Sequence, residues 1–287
     1  MKPNFTVPRQ VNEAEREARS AATSKWMSRL ARLGYAVKGV VYLIIGFLAV
    51  GLAIGHGGAA TDQRGAIETI YQQPFGKFLL IVVIIGLVGF ALWSFIQAVF
   101  DTEGKGSDAK GIIGRIGYAA IGVAYAALAF GTFQLVTGTG SVGQSSTAST
   151  QDWTAKLLEL PFGVPLVVIA GLVVLGLAAY LYFKAYTAQF QRQFNLAAVS
   201  AQVRKGIIFL GRFGYAALGV VFTIIGIFLI VAALKHNPGE AKGLDTALTE
   251  LLHQPFGPFL LGIVALGLLA YGVFSFAEAR YRRVGRG

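Results

Sequence analysis

The sequence predicts an all-α, polytopic membrane protein in which six transmembrane helices form three tandem two-helix hairpins about a pseudo-threefold axis. Composition gives the first reason, since 55% of the 287 residues are hydrophobic and only 14% are charged. Soluble domains carry about 25% charged residues. Six long apolar runs give the second reason, and a motif that recurs three times gives the third. This composition argues against a water-soluble monomer.

Six segments each contain roughly the 20 apolar residues that a helix needs to cross the hydrocarbon core. They lie at 33–55, 75–100, 112–137, 162–186, 207–234 and 256–277. The intervening stretches, such as 101–110, are too polar to span, and the composition of 138–151 is typical of a flexible linker. Long apolar runs without alternation disfavour the strands of a β-barrel.

The distribution of basic residues predicts the topology. Of the 25 Lys and Arg residues, 20 lie on the side of the two termini, and the net charges of the two sides are +13 and −2. Because basic residues favour the cytoplasmic side, both termini are expected in the cytoplasm. Residues 1–30 are polar and charged, so no cleavable signal peptide is expected and the first span serves as the targeting signal.

The spans and their connections divide the chain into six predicted units. These are a cytoplasmic N-terminal tail with an interfacial helix (1–30), hairpin repeat 1 (31–101), hairpin repeat 2 (111–187), a cytoplasmic linker helix (188–206), hairpin repeat 3 (207–281) and a basic C-terminal tail (282–287). Within the tail, 10–30 favours a helix and ends in Trp26, Met27 and Leu30 among basic residues, so its end is expected to rest on the anionic leaflet. The segment 190–203 is similar, and either is a candidate partner surface.

The repeated motif opens the first helix of each hairpin. It reads Arg32-Leu33-Gly34-Tyr35, Arg115-Ile116-Gly117-Tyr118 and Arg212-Phe213-Gly214-Tyr215. A glycine follows at Gly39, Gly122 and Gly219, then an aromatic residue at Tyr42, Tyr125 and Phe222, then a small residue at Gly46, Ala129 and Gly226. The second helix of each hairpin begins near Pro74-Phe75-Gly76, Pro161-Phe162-Gly163 or Pro255-Phe256-Gly257. Since each unit carries two spans, all three enter the membrane in the same direction.

This threefold pattern resembles the bacterial "domain of unknown function 1206" membrane family. The resemblance covers nearly all of the chain from about residue 31 to 281. It implies a bacterial inner-membrane protein of six helices, and it brings no assigned activity. Phe222 departs from the tyrosine of the other two repeats, so a phenolic hydroxyl is not required there in every unit.

The repeated residues fall on one helix face. At 100° per residue, those of the first repeat form a stripe roughly 80° wide. Glycines at this spacing let a neighbouring helix approach closely, so Gly39, Gly122, Gly219, Gly46 and Gly226 are predicted helix-packing positions. The same seam is also compatible with a wall that lines a central path or pocket.

The basic and phenolic residues of the motif are candidates for binding an anion or a lipid headgroup. They are Arg32, Arg115, Arg212, Tyr35, Tyr118, Tyr215 and, without a counterpart in the other repeats, Lys38. An arginine at a membrane boundary most often reaches phosphates. Pairing with a carbonyl or carboxylate, and a joint anion-binding cluster of the three arginines, remain open.

Two further charged positions bear on the membrane interior. Lys38 is expected to lie about 9 Å deeper than Arg32 and to extend its amine back to the interface, or, if it faces the bundle, to be a functional residue. One aligned position near the end of the second helices holds Gln97, Lys184 and Glu278. Lys184 and Glu278 are candidates to pair across repeats.

Short amphipathic stretches precede the Pro-Phe-Gly motifs, and proline fits the first turn of a helix. These stretches, near 66–71, 153–158 and 244–248, are predicted to anchor in the outer headgroup layer or to form a cap.

Catalytic and metal-binding patterns are not evident in the sequence. There is no cysteine, no phosphate-binding loop and no paired-carboxylate arrangement, and the three histidines lack ligand spacing. We therefore expect no catalytic residues, no metal, no cofactor and no nucleic-acid partner.

The favoured function is a non-enzymatic accessory or scaffold component of the membrane, with lipids and a protein partner or a second copy as its contacts. The alternative is a channel or transporter for a small anion or small solute along the axis between the hairpins, because three arginines are expected at its cytoplasmic mouth.

Overall fold

The computed structural model describes residues 25–102, 106, 108–195 and 199–283. The predicted interfacial helix of the N-terminal tail falls mainly in 1–24, outside the described residues. The long helices are α1 (Lys25–Ala53), α3 (Gly76–Phe100), α4 (Ala109–Thr137), α6 (Gly163–Thr187), α7 (Ala201–Leu234) and α9 (Gly257–Tyr281). The short helices are α2 (Gln63–Tyr71), α5 (Ser146–Leu158) and α8 (Leu244–Leu252).

The all-α fold class is confirmed. The six long helices are each long and apolar enough to cross a membrane, and they lie at the six predicted spans. Each short helix links the two long helices of one hairpin. The chain is therefore a multi-pass membrane protein of three tandem hairpins. We call the end where α1 begins and α9 ends the terminal end, and the end with α2, α5 and α8 the cap end.

The hairpins form a ring in which the second long helix of each repeat packs on the first long helix of the next. Helix α3 packs on α4, α6 packs on α7, and α9 closes the ring on α1. We call these contacts the inter-repeat seams. This cyclic order produces the predicted pseudo-threefold arrangement.

The five glycines predicted as helix-packing positions lie in the inter-repeat seams. A Cβ atom added at Gly39 would lie 2.9 Å from the Phe276 ring. One added at Gly122 would lie 2.9 Å from the Phe95 ring, and one at Gly219 would lie 2.7 Å from the Tyr182 ring. Further along, Gly46 faces Leu269 and Gly226 faces Leu175 in the same manner. The glycines thus let each aromatic side chain of the preceding repeat lie directly against helix backbone.

The Pro-Phe-Gly motifs differ from the expectation of a proline in the first helical turn. The helices begin at Gly76, Gly163 and Gly257, two residues after each proline. Phe75, Phe162 and Phe256 adopt left-handed backbone conformations with φ of 62°, 67° and 60°, and their side chains are exposed. A left-handed non-glycine residue is unfavourable by about 1–2 kcal/mol, so its recurrence in all three repeats indicates a shared tight turn between the short and long helices.

The connection after α6 also differs from the predicted linker helix at 188–206. It contains one 3₁₀ turn, Gln189–Gln193, and α7 begins at Ala201, while 196–198 lie outside the described residues. Phe190 and Phe194 are buried and pack around Phe274. An isolated antiparallel bridge joins Phe194 to Arg282. These aromatic side chains lie inside the bundle, which is why the described part of the segment is not an amphipathic surface helix.

Candidate functional site

A buried cluster of charges occupies the interior near the terminal end. Lys38 Nζ donates a hydrogen bond of 2.7 Å to Glu278 Oε2, and Arg282 Nη1 donates one of 2.6 Å to Glu278 Oε1. The three residues are 6%, 1% and 7% exposed, respectively. We call this cluster the buried triad. It joins α1 to α9 and to the residue that follows α9.

Aromatic rings surround the cations of the triad. The Lys38 amine lies 4.9 Å from the centre of the Tyr35 ring, 5.4 Å from that of Phe90 and 5.0 Å from that of Tyr271. The Arg282 guanidinium lies 5.0 Å from the Tyr35 ring. Ring faces carry negative potential, so they partly replace the hydration that these cations lose on burial.

The interpretation of Lys38 as a lysine that extends to the interface is therefore corrected. Its stem runs into the bundle because a carboxylate is available there, and pairing with Glu278 offsets the cost of desolvation. Glu278 pairs with Lys38 and Arg282. Lys184 interacts electrostatically with Glu278, and its amine lies 4.1 Å from the centre of the Tyr215 ring.

Side-chain contacts extend through the interior between the triad and the cap end. Tyr271 Oη accepts a hydrogen bond of 3.4 Å from Lys38, and its ring packs edge-on against Tyr42 at 4.8 Å. Tyr42 Oη in turn accepts a hydrogen bond of 3.2 Å from Gln63 of helix α2. Tyr125 packs its ring against Phe90 at 4.6 Å. Paired polar groups and aromatic rings thus extend from the triad to the short helices.

The short helices join one another through hydrogen bonds and cover the cap end. Asp245 Oδ1 accepts hydrogen bonds from the hydroxyls of Ser146 and Thr147, at 2.9 and 2.6 Å. Asp62 Oδ2 accepts one from the backbone N–H of Ser146. Arg64 donates to Ser149 Oγ at 2.7 Å. Residues of all three repeats take part, and we call this group the cap cluster.

The cap cluster corrects the interpretation of 138–151 as a flexible linker. Helix α5 begins at Ser146, and the Ser145 hydroxyl accepts from the backbone N–H of Ala148 as an N-cap. Asp62 caps α2 by accepting from the N–H groups of Arg64 and Gly65. The signal was present in the sequence, since Asp62 and Ser145 are typical N-cap residues. The low-complexity composition of 138–151 concealed the Ser145 N-cap signal.

Two opposing effects act on the pKa of the Asp245 carboxyl in the cap cluster. Burial alone would raise the pKa of this carboxyl, but hydrogen bonds from Thr147 and Ser146 outweigh burial, and the pKa lies below its ordinary value. The ionised form is therefore the one that the fold stabilises.

We expect Asp245→Asn to lower the thermal stability at neutral pH. We also expect the stability of this variant to fall less on acidification than that of the wild type. A carboxyl with a lowered pKa stabilises the fold above its unfolded pKa of about 3.9, and this contribution is lost as pH falls through the folded pKa. Thermal unfolding in nanodiscs from about pH 7 to about pH 3 measures the effect. The Tm difference from wild type should be largest at neutral pH and shrink on acidification, and a constant difference would contradict the prediction.

The predicted anion-binding residues do not share one role. Arg115 donates to the backbone carbonyls of Ala98 and Val99 at 2.6 and 2.8 Å, and Arg212 donates to that of Tyr186 at 2.8 Å. Arg32 is exposed. Arg115 and Arg212 thus cap the ends of α3 and α6, where carbonyl groups lack helical partners. Since they cap different helices, the structure does not join them in a single anion site.

The predicted tyrosines divide by repeat. Tyr35 and Tyr215 are buried in the interior, whereas Tyr118 is half-buried on α4. The histidines face elsewhere: His56 is exposed, and its Nδ1 lies 2.9 Å from the carbonyl of Ile54. Within the described residues, no group of three or more His, Asp or Glu side chains could hold a metal ion.

The packing within the hairpins breaks the threefold pattern. Helix α1 packs on α3 in repeat 1 and α7 packs on α9 in repeat 3. Among the described residues, α4 and α6 of repeat 2 barely touch. Gly34 and Gly214 contact the second helix of their own hairpins, but a Cβ added at their counterpart Gly117 would meet nothing within 4 Å. The ring is therefore open on one side, and we call this opening the repeat-2 seam.

Comparison with known proteins agrees with the repeat structure. The family described as Domain of Unknown Function (DUF1206) matches three times, at residues 33–101, 116–188 and 213–282. A protein of Bacillus subtilis (strain 168), named "Uncharacterized protein YxxB", is 35% identical over 262 residues, which cover 91% of this chain and 94% of that protein. No solved structure gives a significant match.

Proposed function

The chain belongs to the Domain of Unknown Function (DUF1206) family, and from that premise we propose that it is a non-enzymatic accessory or scaffold protein of the bacterial inner membrane. It associates laterally with lipids and with a protein partner or a second copy. Both termini face the cytoplasm, since the sequence assigns 20 of the 25 basic residues to the side of the two termini. No nucleic acid is involved.

The contacts that cross the interior at both ends of the bundle are the observation that carries this proposal. The buried triad holds α1 against α9 at the terminal end, and the cap cluster joins the short helices at the cap end. Between them, Tyr42 packs on Tyr271 and Tyr125 packs on Phe90. A conduit along the axis would require these contacts to separate, whereas lateral association requires no change in them.

Two measurements on the full chain test the proposal. Native mass spectrometry of the protein, extracted with its lipid at natural expression, should show a protein partner or a second copy at fixed stoichiometry. Proteoliposomes loaded with a small anion should show no flux above protein-free vesicles. Selective, saturable flux that disappears in Arg32→Gln/Arg115→Gln/Arg212→Gln would overturn the proposal in favour of a channel or transporter. A protein that is monomeric and without partners would equally contradict the scaffold.

A further inference from the structure

The repeat-2 seam exposes positions that are buried in the other two hairpins. Its α6 wall consists of residues spaced at three and four, namely Val173, Leu177, Tyr180 and Lys184. Their counterparts in repeat 1 are Gly86, Phe90, Trp93 and Gln97, and in repeat 3 Gly267, Tyr271, Phe274 and Glu278, all buried. Val173 is 66% exposed, Leu177 41% and Tyr180 51%. Lys184 is half-buried.

The α4 wall repeats this contrast. Ile113, Gly117, Ala120 and Ala124 are exposed. Their counterparts toward the bundle interior, such as Val37 and Val41 in repeat 1 or Ala217 and Val221 in repeat 3, are buried. Gly86 of α3 lies against Val37, and Gly267 of α9 lies against Ala217. The same helix faces that close two hairpins are thus left uncovered in the third.

The depth of the repeat-2 seam matches one leaflet of a bilayer. From Val173 to Lys184 the wall extends about 16 Å along the helix, close to half of a hydrocarbon core of about 30 Å. Toward the cap end α4 becomes buried at Leu128 and Thr132, whereas Leu166 and Ile169 on the α6 wall remain exposed. The burial of α4 therefore limits the opening between the two walls toward the cap end.

Charge distinguishes the terminal end of this seam from the rest of its walls. Lys184 is the charged residue of the α6 wall, and it follows an apolar stretch. Behind it, the buried triad contains two cations, Lys38 and Arg282, and one anion, Glu278. Lys184 interacts electrostatically with that same carboxylate. Together these four residues leave an excess of positive charge where a lipid headgroup would lie.

We propose that the repeat-2 seam binds one anionic phospholipid of the terminal-end leaflet, with its phosphate at Lys184 and an acyl chain along the apolar walls. An apolar groove of one-leaflet depth with a cation at its headgroup end is complementary in charge and length to such a lipid. The inference does not depend on a protein partner, and it goes beyond the proposed scaffold function.

Photo-crosslinking tests the proposal with a matched pair of positions on α6. p-Benzoylphenylalanine is introduced in place of Tyr180, on the seam wall, or of Phe183, on the outward side; these side chains are 51% and 52% exposed. The full chain is reconstituted in vesicles of phosphatidylcholine with a minority of phosphatidylglycerol. At position 180 we expect phosphatidylglycerol adducts enriched about fivefold over the bulk share, as one basic residue near a membrane surface provides. At position 183 the adducts should follow bulk composition.

Substitution of Lys184 provides the charge control. In the background with the crosslinker at position 180, Lys184→Gln should return the adducts to bulk composition, and Lys184→Arg should retain the enrichment. Thermal unfolding of each variant identifies any loss of fold, and the Lys184→Arg result keeps the test valid if Lys184→Gln is unstable. Bulk composition at position 180 in the unsubstituted background would overturn the proposal. So would crosslinks to residues 1–24, to a second copy or to another protein.

Discussion

Glu278→Gln should be among the most destabilising single substitutions in the described part of the chain. The Glu278 carboxylate is 1% exposed and compensates Lys38 and Arg282 at 2.7 and 2.6 Å. Its neutralisation removes the negative charge that these two buried cations share. Removal of one partner from a buried ion pair costs about 3–5 kcal/mol. Thermal or denaturant unfolding of the protein in nanodiscs measures the loss.

Lys38→Leu is the matched control for this prediction, because the counterpart in the third repeat is Leu218. In this variant Glu278 keeps the charge of Arg282, so no buried charge is left uncompensated. We expect a smaller loss of stability than for Glu278→Gln. The double variant should be more stable than the sum of the two single losses predicts. In the Glu278→Gln background, the removal of Lys38 takes away one of the two cations that lose the carboxylate. Equal losses for both single variants would show that charge compensation does not govern the triad.

The triad shows what a single sequence can and cannot predict about an intramembrane charge. Lys38 lies on the flank of the motif stripe, so periodicity alone placed it neither clearly inside nor clearly outside the bundle. Glu278 is the one acidic residue in the last span, and its repeat position made Lys184 its candidate partner. Their pairing depends on α9 closing the ring against α1. That contact joins residues 240 positions apart and is not encoded in local spacing.

The spans, the repeats and the glycine positions could be predicted because each rests on a local pattern. The repeat-2 seam could not be predicted from the first helices, since Arg115, Gly117 and Tyr118 preserve the motif of the other repeats. The difference lies in the partner helix, where Val173 and Leu177 replace the glycine and aromatic residue at the corresponding positions in the other hairpins. A branched side chain in place of a glycine keeps helices apart. An alignment of the second helices of the three repeats would have revealed this difference.

Alanine substitution at one repeat position should separate the closed hairpins from the open one. At Gly34 an added Cβ would lie 2.5 Å from Phe90 Cβ and 2.8 Å from the carbonyl oxygen of Gly86. Helix α3 must therefore move, and overpacking of this kind costs about 1–3 kcal/mol. Gly214→Ala meets Tyr271 Cβ at 2.7 Å and should behave alike. Thermal unfolding in nanodiscs measures both variants against wild type.

Gly117→Ala is the internal control, since it is the same substitution at the same repeat position as Gly34→Ala and Gly214→Ala. Only the neighbouring helix is missing at Gly117. An added Cβ there meets nothing within 4 Å. Alanine also favours helix over glycine by up to about 1 kcal/mol. We therefore expect this variant to match or exceed wild-type stability, while Gly34→Ala and Gly214→Ala fall below it. A loss at Gly117 equal to that at Gly34 would mean that α6 packs on α4 in the membrane. The repeat-2 seam would then be closed, and the lipid proposed to occupy it would have no site.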